Sequence, residues 1–393
     1  MQAFYINLPI CAIVYPLLFV APSLRLHPQK DHSQPAKSPV ASIDWLGTLL
    51  HVATLCLFAT TLNFSGPTWS LSSSIAVGCV TAVVLAAYVA QQYFSFGTTP
   101  ENRIMPVHLL RHRTAALTAV GTAVSSVNYA VTLYYSPLLL AFTRGHSPLS
   151  AAVRLLPFIC VFIVSVVVSG GLLPVVRYYM PHYLLAGALC ALGGGLMTTV
   201  RTDTSESTVM GFGVILGAAA GLTWQTALGV TGVVLPKPKD RFDAAALQSM
   251  AQLVPVVVSL SIAGCVYQNL GFAVLKESIG KMQGGARYGD EQIHEALAGV
   301  ASSLWATQAG DSDLDAEARR LAVEGVTEVI TKLFWILVGA GILGFGAAAC
   351  MKWEALNFGK KGAEKMEEGA VEVTQVDATV GQKADRDLQP EAS

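Results

Sequence analysis

Long apolar runs separated by short polar segments dominate this chain. A helix that crosses a bilayer needs about twenty mostly apolar residues, because lipid offers the backbone no hydrogen-bond partners. Nine segments meet this requirement and predict nine membrane-spanning helices: residues 3–21, 47–63, 74–94, 114–140, 151–173, 182–200, 209–235, 244–267 and 333–351. The first has no basic lead-in and contains Pro9 and Pro16, which favours a membrane helix over a signal peptide.

A short polar turn joins the fourth and fifth apolar segments. Ser147 followed by Pro148 is a typical helix start, so the sequence predicts a helix that begins here and continues through Val168. Arg154 lies early in this helix and is the one charged residue within the nine segments. Its long side chain can reach headgroups or carbonyls at the membrane surface, so we expect Arg154 to anchor the helix first and to act in gating second.

Charged residues are few and unevenly placed. They make up 13% of the 393 residues, against 53% hydrophobic residues, and 20 of the 51 precede residue 268. The first two thirds of the chain therefore have too few charged side chains to form a water-facing surface. The sequence predicts an all-α integral membrane protein embedded in the lipid bilayer. A net charge of -1 without a basic, aromatic-rich run argues against a nucleic-acid partner.

The sequence contains no motif for catalysis or cofactor binding. No Ser-His-Asp grouping, phosphate-binding glycine loop or H-E-x-x-H zinc motif occurs. All seven cysteines lie in apolar segments without a C-x-x-C pair, so they are interpreted as packed apolar side chains. We expect no enzyme activity, no cofactor and no metal site.

The short loops predict the orientation, because Lys and Arg collect on the cytoplasmic side of membrane proteins. Ten lie on one side, and two, Arg144 and Arg201, lie on the other. The N-terminus is therefore expected outside and the C-terminus in the cytoplasm. The ten are Arg25, Lys30, Lys37, Arg103, Arg111, Arg113, Arg177, Lys237, Lys239 and Arg241.

Two segments are predicted to lie outside the membrane. Residues 268–332 form an external loop with ten acidic and six basic residues. Within it Ile293, Leu297, Val300 and Leu304 recur at helical spacing, which predicts an amphipathic helix. Residues 353–393 are expected to form a disordered cytoplasmic tail, because large apolar residues are scarce there.

Four motifs together resemble one transporter family. They are F-Y-I-N-L-P-I at 4–10, I-D-W-L-G at 43–47, R-G-H-S-P-L at 144–149 with A-A-V-R-L-L-P at 151–157, and the Gly-rich stretch 211–225. In this order they are similar to the fourteen-spanner drug:proton antiporter branch of the major facilitator superfamily, as found in fungi. One departure is Ala152, which stands where the family has a glycine.

The resemblance implies a major facilitator fold that begins at the sixth of fourteen helices. On this reading the chain is N-terminally truncated and lacks the first five helices, with their gating loop and antiporter signature. The implied division is a last N-half helix (1–22), a cytoplasmic linker (23–46), two inserted helices (47–94), a second linker (95–113), a six-helix C-terminal half (114–352) that contains the external loop, and the tail (353–393).

Polar and aromatic residues inside the spans are the candidates for lining a substrate cavity, because they are costly against lipid. The alternative for each amide is an interhelical hydrogen bond, and Gln248, near a helix end, is the weaker cavity candidate. The resemblance implies that the helices carrying these residues face the cavity. The candidates are Asn128, Tyr129, Tyr134, Trp224, Gln225 and Gln252.

Three glycines and two aspartates are expected to have structural roles. Gly213, Gly217 and Gly221 recur every four residues, which predicts close helix packing. Asp44 and Asp243 are interpreted as helix caps at the cytoplasmic face rather than proton carriers.

The predicted function is transmembrane transport: proton-coupled export of small amphipathic organic compounds such as drugs, toxins or secondary metabolites, most simply across the plasma membrane, with the vacuolar membrane as an option. The alternative is a truncated, non-transporting fragment or a partner that docks to another membrane protein. Siderophore or nutrient transport is a weaker alternative. The expected partners are a small-molecule substrate, protons and the bilayer.

Overall fold

The computed structural model describes residues 43–65, 70–99, 102–235, 237–280, 289–290, 293–294, 297 and 313–356. The chain divides into two compact units, Met1–Ile43 and Asp44–Ser393, and all the helices below lie in the second. The predicted first span, residues 3–21, lies outside the described residues.

Twelve helices have defined bounds in the described part of the second unit. In chain order they are α1 (Trp45–Phe64), α2 (Leu71–Phe94), α3 (Val107–Leu110), α4 (Arg113–Arg144), α5 (Pro148–Val153), α6 (Leu156–Val176), α7 (Met180–Thr198), α8 (Glu206–Trp224), α9 (Thr226–Val234), α10 (Pro238–Gly280), α11 (Asp313–Leu333) and α12 (Trp335–Ala349).

The apolar pattern predicted the membrane helices correctly. Within the described residues, eight helices or joined helix pairs are long and apolar enough to cross a membrane, and they coincide with the last eight predicted segments. The all-α integral membrane fold is thereby confirmed. Two ends of the helix bundle follow from the alternating direction of the chain, and we name them the Arg113 end and the Arg144 end after the two ends of α4.

Helix α4 lies at the centre of the packing. It contacts α7, α8, α10, α11 and α12, and small polar side chains cover much of its buried surface. By contrast, α1 and α2 bury few residues, pack on each other, and join the rest mainly through contacts between α1 and α10. Hydroxyl groups suit the crowded position of α4, since they are compact and can donate to carbonyls of their own helix.

The helix that was predicted to run from Ser147 through Val168 is broken. The Ser150 N–H donates to Ser147 Oγ at 3.3 Å, so the predicted cap is confirmed. The helix ends at Val153 and restarts at Leu156, because Pro157 has no N–H to donate to the Val153 carbonyl. The prediction was therefore right about the start and wrong about the continuity.

The extramembrane segments contain more helix than predicted. Helix α10 continues from the predicted loop boundary to Gly280, and α11 fills the other end of the 268–332 segment. Ile293 and Leu297 are buried, whereas Val300 and Leu304 lie outside the described residues. The chain contacts the helix bundle as far as Leu356, whose N–H donates to the Arg177 carbonyl at 2.7 Å. Residues 357–393 are outside the described part.

Asp44 fixes the start of α1 as predicted. It is 3% exposed, and its carboxylate accepts the Gly47 N–H at 2.8 Å, which makes it the N-cap. The side-chain amides of Gln91 and Gln92 donate to the same carboxylate, both at 3.1 Å, and the Ile104 N–H donates at 3.3 Å. One carboxylate therefore joins α1, α2 and the linker before α3. Asp243 is not a cap, since α10 already begins at Pro238.

We predict that Asp44→Ala destabilises the protein far more than Ser70→Ala, which removes the exposed N-cap of α2. Losing the Asp44 cap and leaving its buried donors without an acceptor should cost about 2–4 kcal/mol, against about 0.5–1 kcal/mol for Ser70. Equilibrium unfolding of the purified variants in mixed micelles measures both. Equal losses would show that the Asp44 cluster adds nothing beyond an ordinary cap.

Candidate functional site

A break in one membrane span lies at the centre of the predicted site. Helix α8 ends at Trp224 and α9 begins at Thr226, and Gln225 between them has φ -116 and ψ -6, a φ far from the regular α-helical value of about -63°. The Leu228 N–H donates to the Gln225 carbonyl at 3.2 Å, one residue short of the regular partner Trp224. The span that was predicted as one helix is therefore two, and the Trp224 carbonyl needs another donor.

Side chains from two neighbouring helices support this break. Gln252 of α10 donates from Nε2 to the Trp224 carbonyl at 2.8 Å. Ser169 of α6 donates to the Leu222 carbonyl at 2.6 Å and lies 3.0 Å from the Thr226 hydroxyl. Backbone groups inside a membrane must be satisfied by the protein itself, so these donors make the break possible.

An aromatic cluster adjoins the break. The rings of Tyr129 and Trp224 lie 5.0 Å apart, and the Phe162 ring lies 5.2 Å from Tyr129 and 5.3 Å from Trp224. Phe158 extends the cluster at 6.3 Å from Tyr129. Helices α4, α6 and α8 thus contribute to one aromatic wall, of which the sequence had predicted only Tyr129 and Trp224.

The predicted cavity residues separate into exposed and buried sets. Gln225 is exposed, Gln252 is half-buried, and Tyr134 is 59% exposed. Tyr134 lies apart from the aromatic cluster, and its ring packs against the neighbouring Tyr135 at 5.0 Å. Asn128 is fully buried, which gives it a different environment from the other candidates.

Asn128 and Gln248 hold helices together in this structure. Asn128 donates from Nδ2 to the Leu216 carbonyl at 2.8 Å and accepts from Thr132 at 3.1 Å. The Thr122 hydroxyl donates to Gln248 Oε1 at 3.1 Å. Both amides therefore have partners on neighbouring helices, in the manner of interhelical hydrogen bonds.

Cavities of about 10, 20 and 530 Å³ border the described helices, and none of these is lined by Gln225, Gln252 or Tyr134. The first is close to the size of one water molecule and is lined by Asn128, Ser125, Thr223 and Tyr183 among others. The second lies beside Arg154 and Phe158. The third is a groove between α7 and α11 at the Arg144 end. Its lining includes Arg201, the carboxylates of Glu324 and Glu328, and several threonines.

The three predicted packing glycines have different surroundings. A Cβ at Gly217 would lie 2.5 Å from the Phe158 carbonyl oxygen, and one at Gly221 would lie 2.5 Å from the Phe162 carbonyl oxygen. These positions bring α8 against the α6 backbone. At Gly213 the nearest atom would be the Phe158 Cβ at 3.8 Å, which is an ordinary contact.

Arg154 belongs to an ion cluster at the Arg144 end. Its Nε donates to Glu206 Oε2 at 2.6 Å, and Nη1 donates to the Ser150 hydroxyl at 2.5 Å. His146 Nε2 lies 2.7 Å from Glu206 Oε1. The cluster connects the α4–α5 turn with the start of α8, so the guanidinium binds protein groups rather than only the bilayer surface.

Sequence reasoning missed Glu206 and His146 because both lie just outside the apolar segments. It also missed Phe162 and Ser169, which carry no charge or motif that separates them from other residues of an apolar helix. A Ser one residue before Glu206 offered one signal, since it marks the helix start that places the carboxylate beside the turn.

These features define a polytopic α-helical membrane protein in which an interrupted span carries amide and aromatic side chains. Comparisons with known proteins agree with this class. The chain is 30% identical to the MFS-type transporter pgmG of Aspergillus terreus over 357 residues, which are 90% of this chain and 61% of the relative. It is 29% identical to the MFS-type transporter patC of Penicillium expansum over 352 residues, 89% of this chain and 62% of the relative.

An efflux pump is also among the similar proteins. The chain is 27% identical to efflux pump alnA of Emericella nidulans over 368 residues, 90% of this chain and 62% of the relative. The chain thus spans about three fifths of the length of these relatives. A scan against protein-family models finds no match.

We predict that Gly217→Ala and Gly221→Ala each lower stability by about 1–3 kcal/mol, because the added methyl would meet the α6 backbone rather than a movable side chain. Gly213→Ala, on the same helix, is the matched control and should change stability by less than about 0.5 kcal/mol. Unfolding in mixed micelles distinguishes the three variants. A Gly213 effect as large as the others would contradict the packing assignment.

We predict that Arg154→Leu and Glu206→Gln each lower the melting temperature and the membrane abundance. Either change leaves the other group without its charged partner, so the double variant should lose less than the sum of the single variants. Thermal unfolding in detergent provides the measurement. Normal abundance and an unchanged melting temperature of Arg154→Leu would contradict the anchoring role.

Proposed function

We propose that the chain acts in proton-coupled export of small amphipathic organic compounds, as a major facilitator transporter of the fourteen-spanner drug:proton antiporter branch. Its similarity to MFS-type transporters and efflux pumps extends over about nine tenths of its length. Alternating access would carry the substrate through a site near the membrane midplane, where interrupted helices supply the binding groups.

The observation that carries this proposal is the exposed amide of Gln225 within an apolar span. An amide that faces lipid loses hydrogen bonds worth several kcal/mol, so a span tolerates one where it faces water, a solute or another protein surface. Gln225 lies at the helix break, next to the aromatic wall of Tyr129 and Trp224. An aromatic wall beside an amide suits a molecule that is largely apolar with a few polar groups.

The candidate residues take different roles in this proposal. Tyr129 and Trp224 would form the wall on which a substrate packs, while Gln225 and Tyr134 would offer exposed polar groups. Gln252 would hold the break open and reach the substrate with its remaining oxygen. Asn128, being buried and bonded, would support the wall rather than touch the substrate.

The domain division and the orientation belong to the same proposal. The helices from α4 to α12 pack on one another, which supports a C-terminal six-span half. Helices α1 and α2 are loosely joined to them, which supports an inserted helix pair. The excess of Lys and Arg in the loops supports a cytoplasmic Arg113 end and an external Arg144 end. For the location we propose the plasma membrane, with the vacuolar membrane as the alternative.

A second candidate is a non-transporting fragment or membrane-docking partner. Determining the 5′ end of the natural transcript discriminates the two. Five further spans in frame would support the transporter, and a transcript that starts at Met1 would support the fragment.

We predict that Tyr134→Ala and Gln225→Leu slow export of an amphipathic dye, measured in cells that express the protein from its natural transcript. Losing one aromatic or polar contact of about 0.5–1.5 kcal/mol should slow dye export about two- to tenfold. Tyr93→Ala is the control, because Tyr93 is 65% exposed on α2, away from the proposed wall.

The same cells test the coupling. Collapsing the proton gradient should abolish dye export by the unsubstituted protein. Export that persisted without a gradient would contradict proton coupling, and equal effects of Tyr93→Ala and Tyr134→Ala would contradict the site. No export of any amphipathic compound would contradict the proposed function itself.

A further inference from the structure

Three potential metal ligands meet at the Arg113 end, outside the site described above. His108 belongs to α3, and Asp240 and Asp243 lie three residues apart in the first turns of α10, on one helix face. His108 Nε2 lies 3.6 Å from Asp240 Oδ1 and 3.6 Å from Asp243 Oδ2. Among the described residues these three form the one His, Cys, Asp and Glu group with ligand atoms within 4.8 Å of one another.

The distances fit a shared ion better than a direct bond. A hydrogen bond from an imidazole nitrogen to a carboxylate is about 2.7–3.0 Å long, so 3.6 Å is too far for one. Zinc–nitrogen and zinc–oxygen bonds of about 2.0–2.2 Å place neighbouring ligands of a tetrahedral ion about 3.3–3.5 Å apart. The imidazole nitrogen therefore faces both oxygens at nearly the spacing that one bound ion requires.

The Arg144 end contains a comparable pair with a different geometry. There, His146 Nε2 lies 2.7 Å from Glu206 Oε1, and Arg154 binds the second oxygen of the same carboxylate. That direct contact leaves no space for an ion between the two groups. At the Arg113 end the nearby Arg241 instead donates to the Leu235 carbonyl at 2.9 Å.

We propose that His108, Asp240 and Asp243 bind a divalent transition-metal ion of the Zn²⁺ type, with water completing the coordination. One imidazole and two carboxylates form a ligand set that Zn²⁺ accepts, and an incomplete protein set keeps open positions for water. The three side chains are partly exposed, so an ion can enter from the solvent side.

The site links two segments that are distant in sequence and already pack through Leu109, Ala244 and Leu247. Helix α3 follows the linker that Asp44 holds through the Ile104 N–H, and α10 carries the Gln252 that supports the broken span. A bound ion would fix the start of α10 against α3 and so limit its movement. The assignment of the site rests on ligand geometry and does not depend on the proposed export function.

Metal binding to the purified full chain in nanodiscs tests the site. After chelator treatment, equilibrium dialysis against ⁶⁵Zn²⁺ should give one more bound ion per chain for the unsubstituted protein than for His108→Ala. Asp240→Asn and Asp243→Asn should each lower the affinity for that ion at least about tenfold, since even residues that only hydrogen-bond to metal ligands contribute this much. Co²⁺ should give visible absorption bands that the same variants lose.

His146→Ala is the matched control, because it removes a His–carboxylate pair at the opposite end, and it should retain the ion. Size-exclusion profiles verify folding, and His108→Asn replaces His108→Ala if the alanine variant misfolds. Identical Zn²⁺ binding by the unsubstituted protein and all three site variants would overturn the proposal and leave an ion pair only. Loss in the aspartate variants but not in the His108 variants would overturn it as well.

Discussion

Backbone hydrogen bonding inside lipid is the constraint on which this structure depends. Each interruption of a membrane helix frees carbonyls that water cannot satisfy, so the protein must supply donors. The break after Trp224 illustrates the rule, since Gln252 and Ser169 reach it from two other helices. The candidate site therefore lies where neighbouring helices provide hydrogen-bond donors for the free carbonyls.

Hydrophobic patterning was sufficient to predict most of the fold. Eight of the nine segments appear as spans among the described residues, because the bilayer imposes a minimum length that any sequence window can detect. The Asp44 cap was also predictable, since an aspartate immediately before an apolar run has one obvious local partner. Helix α10 was underestimated, because beyond Tyr267 it leaves the apolar pattern while remaining helical to Gly280.

Side-chain partners were predictable only where they were local. The sequence suggested Asn128, Gln225 and Gln252 for the same role, but one is buried and bonded, one is exposed, and one binds a carbonyl. Hydropathy assigns the same cost of burial in lipid to each amide. It carries no information about which neighbouring residue forms a hydrogen bond with that amide. The Arg154–Glu206 contact and the His108 group likewise join residues that are distant in sequence and become neighbours only through helix packing.

The support of the helix break also has an evolutionary consequence. Since Gln252 supplies the donor that the Trp224 carbonyl lacks, loss of this amide by mutation would leave a break without compensation. Such a lineage could survive by closing the break into a continuous helix or by acquiring a donor on another neighbour. Residues 169, 225 and 252 should therefore change in a correlated way among related transporters, even though they lie in three different membrane spans.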